Sequence, residues 1–131
     1  SPLLEARAVT QFEKVTDEKV AALFPLAGNL VHLDLRNTAL TSAGCATVSK
    51  LTNLVHLNLR GCPVKDSGVQ QLTTLKNLQS LNLGQTQISP LGLVGLIKLP
   101  ALARLNLWES KAVTAGLAPL VKVRPNLEII K

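Results

Sequence analysis

The sequence is poor in aromatic residues and contains no methionine. Its 131 residues include two Phe, one Trp and no Tyr, so leucine and other aliphatic side chains must fill the core. Because position 1 is not methionine, we expect a processed or excised segment. No apolar run approaches the about 20 residues that cross a bilayer, and no signal peptide is visible. We therefore expect no membrane insertion by this segment.

Charge and cysteine usage argue against a nucleic-acid-binding protein and against a domain held together by disulfides. The net charge is +6, but the basic residues are scattered from Arg7 to Lys131 without a cluster and without interleaved aromatics. This distribution argues against nucleic-acid binding. Cys45 and Cys62 form neither a C-x-x-C pair nor a disulfide framework. We expect two buried free thiols.

A leucine pattern recurs at a fixed interval. The motif L-x-x-L-x-L begins at residues 30, 54, 78 and 102, and Leu127 begins a truncated fifth copy one residue late. A fixed period of this length is the signature of a solenoid in which each repeat covers the next.

Positions after each strand also align between repeats. One set of equivalent positions, which we call the small polar column, carries side chains that can hydrogen-bond to the freed backbone groups of the turn. Its members are Thr38, Cys62, Thr86 and Ser110. A glycine column, expected at a close approach, follows: Gly44, Gly68, Gly92 and Gly116. Apolar residues three apart then predict one face of a short helix: Cys45, Val69, Leu93, Leu117; Val48, Leu72, Leu96, Leu120; and Leu51, Leu75, Leu99, Val123.

The first 29 residues are expected to cap this stack. Alternation in residues 1–14, with Leu4 and Ala6 on one side and Glu5 and Arg7 on the other, predicts an edge strand. A helix that begins at Thr16 or Asp17 should follow. We therefore divide one continuous domain into a capping strand and helix, residues 1–29, and repeats over 30–131, which comprise four full units and a terminal strand.

Strand, helix and parallel strand in succession predict an α/β solenoid. The crossover should be right-handed. Because strands pack closer together than helices, we expect a short horseshoe with a concave parallel sheet and convex helices.

These repeats resemble the leucine-rich repeat family, with Thr or Cys at the ninth position, where Asn is more usual. The resemblance implies the same fold and a role in recognition. A closer similarity is to the V-T-D-x-G-L repeats of secreted or membrane-anchored proteins of Planctomycetes and Verrucomicrobia. It rests on residues 15–18, 64–69, 105–110 and 124–129, although three repeats lack the aspartate.

The closer resemblance implies a periplasmic or extracellular, C-terminal position in a larger bacterial protein, often after a c-type cytochrome domain. The residues themselves leave a cytoplasmic location open. No C-x-x-C-H haem attachment sequence is present in these 131 residues, and we expect this segment to hold no cofactor.

Outward strand positions form the candidate binding site on the concave face. The three columns are His32, His56, Ser80, Arg104; Asp34, Asn58, Asn82, Asn106; and Arg36, Arg60, Gly84, Trp108. Of these, the predicted partner contacts are His32, Asp34, Arg36, His56, Asn58, Arg60, Asn82, Arg104, Asn106 and Trp108.

Each column has a structural alternative to ligand contact. The Asp/Asn side chains are expected to hydrogen-bond along the ladder, as stacked amides do. His32 and His56 lie within reach of one metal ion, but zinc needs three or four ligands, so we expect no metal site. Trp108 is either an interface residue or packs at the edge beside Ile129.

No catalytic motif is present, so we expect a protein that is not an enzyme. The favoured function is a non-catalytic interaction and packing module that binds a protein or another domain of its own chain. Two alternatives are an accessory domain of a c-type cytochrome-containing oxidoreductase and cell-surface recognition of polysaccharide or peptide. Weak self-association through the C-terminal edge strand is also expected.

Overall fold

The computed structural model describes residues 4–7, 16–22, 29–110 and 117–131. Six strands lie in these residues: β1 (Leu4–Arg7), β2 (Leu30–Asp34), β3 (His56–Asn58), β4 (Ser80–Asn82), β5 (Arg104–Asn106) and β6 (Glu128–Ile130). The helices there are α1 (Asp17–Ala21), α2 (Cys45–Val48), α3 (Asp66–Gln71), α4 (Pro90–Gly95) and α5 (Leu117–Val123), and single 3₁₀ turns follow α3 and α4 at Leu72–Thr74 and Leu96–Lys98. No helix in the described ranges is long and apolar enough to cross a membrane.

The described strands form one parallel sheet in chain order, from β1 to β6. Equivalent residues of the repeats lie opposite each other, so Leu57 faces Leu33 on one side and Leu81 on the other. Leu127 comes one residue late, but the strand after it is in register with the other repeats, because Ile129 lies opposite Leu105. The predicted α/β leucine-rich repeat solenoid is confirmed.

Leucine fills the core as predicted. Every leucine of the four L-x-x-L-x-L copies is at most 5% exposed. The helical columns are buried too, except in the last repeat, where Leu117 is half-buried and Val123 is 56% exposed. The prediction that Val123 completes the apolar face is therefore wrong.

The inserted residue before Leu127 explains the exposure of Val123. Leu99 stands three residues before the first leucine of its strand, and Arg124 stands three residues before Leu127. Arg124 thus takes the leucine position and turns its guanidinium onto the preceding repeat. Nη2 donates to the carbonyl oxygens of Ile97 at 3.0 Å and of Leu99 at 2.6 Å. The Leu99 carbonyl also accepts from the Leu102 amide at 3.3 Å, so the guanidinium adds a charged donor at the end of the 3₁₀ turn.

The small polar column bonds to the turns as predicted. Thr86 Oγ1 donates to the Leu83 carbonyl at 2.6 Å, and Cys62 Sγ donates to the Leu35 carbonyl at 2.9 Å. Thr38 Oγ1 accepts from the Leu40 amide at 3.3 Å. Ser110 Oγ, by contrast, is buried without a hydrogen-bond partner among the described residues.

The glycine column makes room for the preceding repeat. A Cβ at Gly92 would lie 2.3 Å from Asp66 Oδ1, and one at Gly44 would lie 2.2 Å from Asp17 Oδ1. The Asp66 carboxylate also accepts from the Ser89 amide at 2.8 Å and from the Ser89 hydroxyl. We call this arrangement, a carboxylate bound to the next repeat beside its glycine, the aspartate clamp. The predicted close approach is confirmed at these glycines, and Gly116 lies outside the described residues.

The same clamp recurs where the sequence allows it. Asp17 accepts from the Thr41 amide at 2.8 Å and from the Thr41 hydroxyl at 2.6 Å. In the repeat between those of Asp17 and Asp66, the equivalent position is Ser42, whose Oγ accepts from the Lys65 amide at 2.9 Å. An aspartate is therefore followed in the next repeat by a hydroxyl residue, which gives its second oxygen a donor.

Candidate functional site

The sheet register gathers the predicted contact residues on the side opposite the leucines, because successive strand residues point to opposite faces. We call this side the sheet face. In its first row, His32, His56, Ser80, Arg104 and Glu128 are successive Cα partners. Asp34, Asn58, Asn82, Asn106 and Ile130 form the second row in the same way.

A depression of ≈ 340 Å³ opens on the sheet face. Its lining comes from β2 to β6, and Ser80 lies on the middle one of these strands, with a shorter side chain than His56 and Arg104 on the neighbouring strands. We call it the Ser80 depression. Six predicted contact residues line it: His32, His56, Asn58, Asn82, Arg104 and Asn106. The remaining lining residues, which sequence reasoning did not name as contacts, are Ser80, Leu57, Leu81 and Ile130.

The Asp/Asn row bonds to its own turns and not along the ladder. Oδ1 of Asn58 accepts from the amide of Arg60 at 3.0 Å, two residues further on. The same bond is 2.9 Å at Asn82 and 3.0 Å at Asn106, and at Asp34 it is 3.2 Å. The predicted ladder bonding is therefore wrong. An Asx side chain at the end of a strand commonly caps the turn that follows it in this way.

The turns beyond the Asx residues share an unusual backbone conformation. Three residues after each Asx position, φ is positive: 58° at Asn37, 75° at Gly61, 54° at Gln85 and 57° at Glu109. Asn and Gly tolerate this conformation best. The combination of an Asx residue with Asn or Gly three residues later was the sequence signal for these turns in the first two repeats.

Asp34 is less available than its column predicted, whereas Arg36 is exposed. Asp34 is 8% exposed, and its Oδ2 lies 3.4 Å from Nε of Arg36. Neither residue lines the Ser80 depression. The Asp34 carboxylate is thus paired with the guanidinium and the backbone amide of Arg36.

Arg60 and Trp108 form a cluster that spans two repeats. The Arg60 guanidinium carbon lies 4.7 Å from the centroid of the Trp108 ring, a cation–π contact. The intervening column position is Gly84, and a Cβ there would lie 3.6 Å from Arg60 Cγ. Arg60 Nε also donates to Gln85 Oε1 at 3.3 Å. The missing side chain at residue 84 thus lets the arginine reach across one strand.

Trp108 remains 41% exposed above this contact. The expected edge packing beside Ile129 is wrong, because Ile129 lies opposite Leu105 and packs against the core. Trp108 and Arg60 lie outside the lining of the Ser80 depression, but each follows one of its Asn residues by two positions, at the C-terminal end of a strand.

His32 and His56 lie side by side. Their ring centroids are 5.4 Å apart with the planes tilted by 51°. Within the part of the chain that the structure describes, no three His, Cys, Asp or Glu side chains come together to hold a metal ion. Both histidines line the Ser80 depression.

Both cysteines are buried free thiols, as predicted. Burial, with a smaller effect of Cys62 and Asp17, raises the pKa of Cys45 to about 12. Burial also raises the pKa of Cys62, against the lowering effect of its hydrogen bonds with Thr38 and Asn37. A thiol that stays protonated and shielded is a poor nucleophile, so neither residue is a candidate for covalent chemistry.

Comparison with known proteins agrees with the geometry. Residues 50–72 and 74–96 each match a family model described as a leucine-rich repeat. The match and the parallel sheet with its short helices define the chain as an α/β leucine-rich repeat solenoid. Such repeats suggest a protein-interaction module and are generally non-catalytic. A search of curated proteins returned no match.

Proposed function

We propose that this domain is a non-catalytic module that binds a protein partner, or another domain of its own chain, through the sheet face. The observation that carries the proposal is the Ser80 depression, a concavity on the sheet face that seven polar residues line together with Leu57, Leu81 and Ile130. The other side of the same strands is closed by leucine, so ligand contact through the strands is restricted to this face.

The size of the sheet face requires that neighbouring surfaces take part. Six strands at a spacing of ~4.8 Å span about 24 Å, and five residues along each strand span about 16 Å. The resulting area, about 400 Å², is near half of the about 800 Å² that one partner commonly contributes. The exposed Trp108 beside Arg60 extends the surface with residue types that dominate interface energetics.

Two matched substitutions test the proposal. Ser80→Phe fills the depression with a neutral side chain, whereas Gln70→Phe adds the same group at an exposed position of α3 on the helical side. Each protein is immobilised, exposed to extract of the source organism, and its captured proteins are identified by mass spectrometry. We expect Ser80→Phe to lose a partner that the unsubstituted protein and Gln70→Phe retain. Equal capture by all three would refute binding through the sheet face.

We also propose that the domain is a C-terminal part of a larger bacterial secreted protein. Support comes from the resemblance to V-T-D-x-G-L repeats, whose aspartate corresponds to the clamp residues Asp17 and Asp66. Fractionation of the source cells tests this location. Recovery of the native protein in the cytoplasm would overturn it.

An accessory domain of a c-type cytochrome-containing oxidoreductase is the second candidate, and it rests on the same resemblance. An absorption spectrum of the native parent protein tests it. A Soret band would support docking of the sheet face within the chain, and its absence would leave a free-standing recognition module. For cell-surface recognition, a peptide fits the depression better than a polysaccharide, because the one tryptophan offers little stacking surface.

A further inference from the structure

Hydrogen-bond donors predominate in the Ser80 depression. Asn58, Asn82 and Asn106 each turn the side-chain oxygen to a backbone amide of their own repeat. A carboxamide has one accepting oxygen and one NH₂ group with two donors. With the oxygen turned to the backbone, the NH₂ group is the opposite end of each carboxamide, and the three side chains line the depression. The second row thus offers a series of donors about 4.8 Å apart.

The first row adds positive charge and further donors. Arg104 stands on one side of Ser80 and His56 on the other. Arg104 is held only loosely, since its Nε lies 3.8 Å from Glu128 Oε2 and both side chains are more than half exposed. Exposed ion pairs of this kind are weak and readily exchanged. The guanidinium can therefore turn to a ligand at low cost.

In the strands that the structure describes, neither Cα partner of Ser80 is acidic. Asp34 is engaged by Arg36, at the far end of the second row. The acidic members of the first row stand at its two ends: Glu5 is the Cα partner of His32, and Glu128 is the Cα partner of Arg104. The polar part of the lining consists of Arg104, two imidazoles, the Asn amides and the Ser80 hydroxyl, beside Leu57, Leu81 and Ile130. Ionised carboxylates only accept hydrogen bonds and match such a site.

We infer that the partner presents an extended acidic segment, and that one of its Asp or Glu carboxylates enters the Ser80 depression between His56 and Arg104. This inference rests on the proposed function and specifies the chemistry of the partner. Within an extended segment alternate side chains share one side, so acidic residues two apart can both face the donors. The scattered basic residues and the single tryptophan, already stacked under Arg60, favour a peptide over a nucleic acid.

A direct binding measurement tests the inference. Fluorescein-labelled peptides of four Glu-Ser repeats and of four Gln-Ser repeats are titrated with the purified domain in low salt, and fluorescence anisotropy gives Kd. We expect the Glu peptide to bind at least about tenfold more tightly than the Gln peptide, the difference that one charge-assisted hydrogen bond can supply. Equal affinities would overturn the acidic ligand class.

Two charge-matched variants locate the binding site. Arg104→Gln and Lys98→Gln remove one positive charge each, the first at the depression and the second at an exposed position of the 3₁₀ turn after α4. We expect Arg104→Gln to weaken binding of the Glu peptide about tenfold and Lys98→Gln less than about twofold. Equal losses would mean attraction by net charge alone and would overturn the site.

Two further measurements separate the remaining outcomes. Ser80→Phe, checked for folding by circular dichroism, should abolish binding of the Glu peptide without changing net charge. Retained binding by a folded Ser80→Phe protein would also overturn the site. An eight-nucleotide thymidine strand that bound more tightly than the Glu peptide and depended on Arg104 would overturn the peptide assignment. Failure with acidic peptides, together with partner loss in the Ser80→Phe capture experiment, would refute this inference while leaving the proposed function intact.

Discussion

The aspartate clamp predicts that Gly92→Ala destabilises the native protein but stabilises a protein in which Asp66 is already alanine. Gly92 lies in helix α4, where alanine is favoured over glycine by about 1 kcal/mol. In the native protein, however, an added Cβ would lie 2.3 Å from Asp66 Oδ1. The carboxylate would have to move and give up its bonds to Ser89.

The magnitudes follow from the bonds that are lost. A hydrogen bond to a charged group contributes about 1.5 to 3 kcal/mol, and we take a total of about 2 to 3 kcal/mol for the two bonds because Asp66 is half-exposed. Asp66→Ala should therefore destabilise by about this amount. Gly92→Ala in the native background should lose the same bonds and gain about 1 kcal/mol of helix propensity, for a net cost of about 1 to 2 kcal/mol.

The double variant should differ from the sum of the single variants. Once Asp66 is alanine, its Cα, 3.5 Å from the Gly92 Cβ position, is an ordinary contact. Gly92→Ala should then stabilise by about 1 kcal/mol. The coupling free energy is about 2 to 3 kcal/mol, well above the few tenths expected for independent sites. Urea unfolding followed by circular dichroism measures all four proteins.

The preceding repeat supplies a matched control. A Cβ at Gly68 would lie 2.9 Å from Val64, 3.0 Å from Ser42 and 3.1 Å from Cys45. Removing one neighbour by Ser42→Ala leaves the other two in place. Gly68→Ala should therefore destabilise in both backgrounds. An equal cost of Gly92→Ala with and without Asp66 would refute the steric argument for the clamp.

Three further predictions concern single side chains. Because burial raises the pKa of Cys45 to about 12 from 9.0, the unfolded chain releases this proton first. The free energy of unfolding should fall by up to about 1.4 kcal/mol per pH unit between those values, and Cys45→Val should flatten that decline in urea unfolding at pH values between about 8 and 11. Arg60→Ala should increase acrylamide quenching of Trp108 fluorescence and cost about 0.5 to 1 kcal/mol; unchanged quenching would contradict the cation–π contact. Arg124→Ala should lower the free energy of unfolding by about 2 kcal/mol, because the Ile97 and Leu99 carbonyl groups lose a charged donor. An equal loss of stability in the exposed control Lys122→Ala would show that charge alone is responsible.

Periodicity in the sequence was enough to predict the solenoid and its register. A leucine column fixes which residues are opposite each other, since a shift by one residue would move every leucine to the other face. The small polar and glycine columns could be read in the same way, because their roles depend on local burial. These predictions need only the position of a residue in the repeat. They do not depend on which neighbour a polar side chain turns to.

Side-chain direction is where the sequence reasoning was wrong. The Asn column is compatible with bonds along the ladder and with bonds to its own turn, and only the geometry of the turn decides between them. Arg60 reaches Trp108 because Gly84 leaves a gap, which a comparison of adjacent repeats does not reveal. One signal was available: the aspartates at 17 and 66 are each followed in the next repeat by a hydroxyl residue, Thr41 and Ser89.

The position of the clamp aspartate is occupied differently in each repeat, and this sets how strongly successive repeats are coupled. Asp17 and Asp66 bind the next repeat through two oxygens, and Ser42 binds it through one. Pro90 follows at the same position, and its ring has no acceptor to offer. In a one-dimensional stack, stability is a sum of neighbouring interfaces, so unequal interfaces divide the chain into segments of different cooperativity. Unfolding is therefore expected to begin after Pro90, with the last repeat opening before the four strands that precede it.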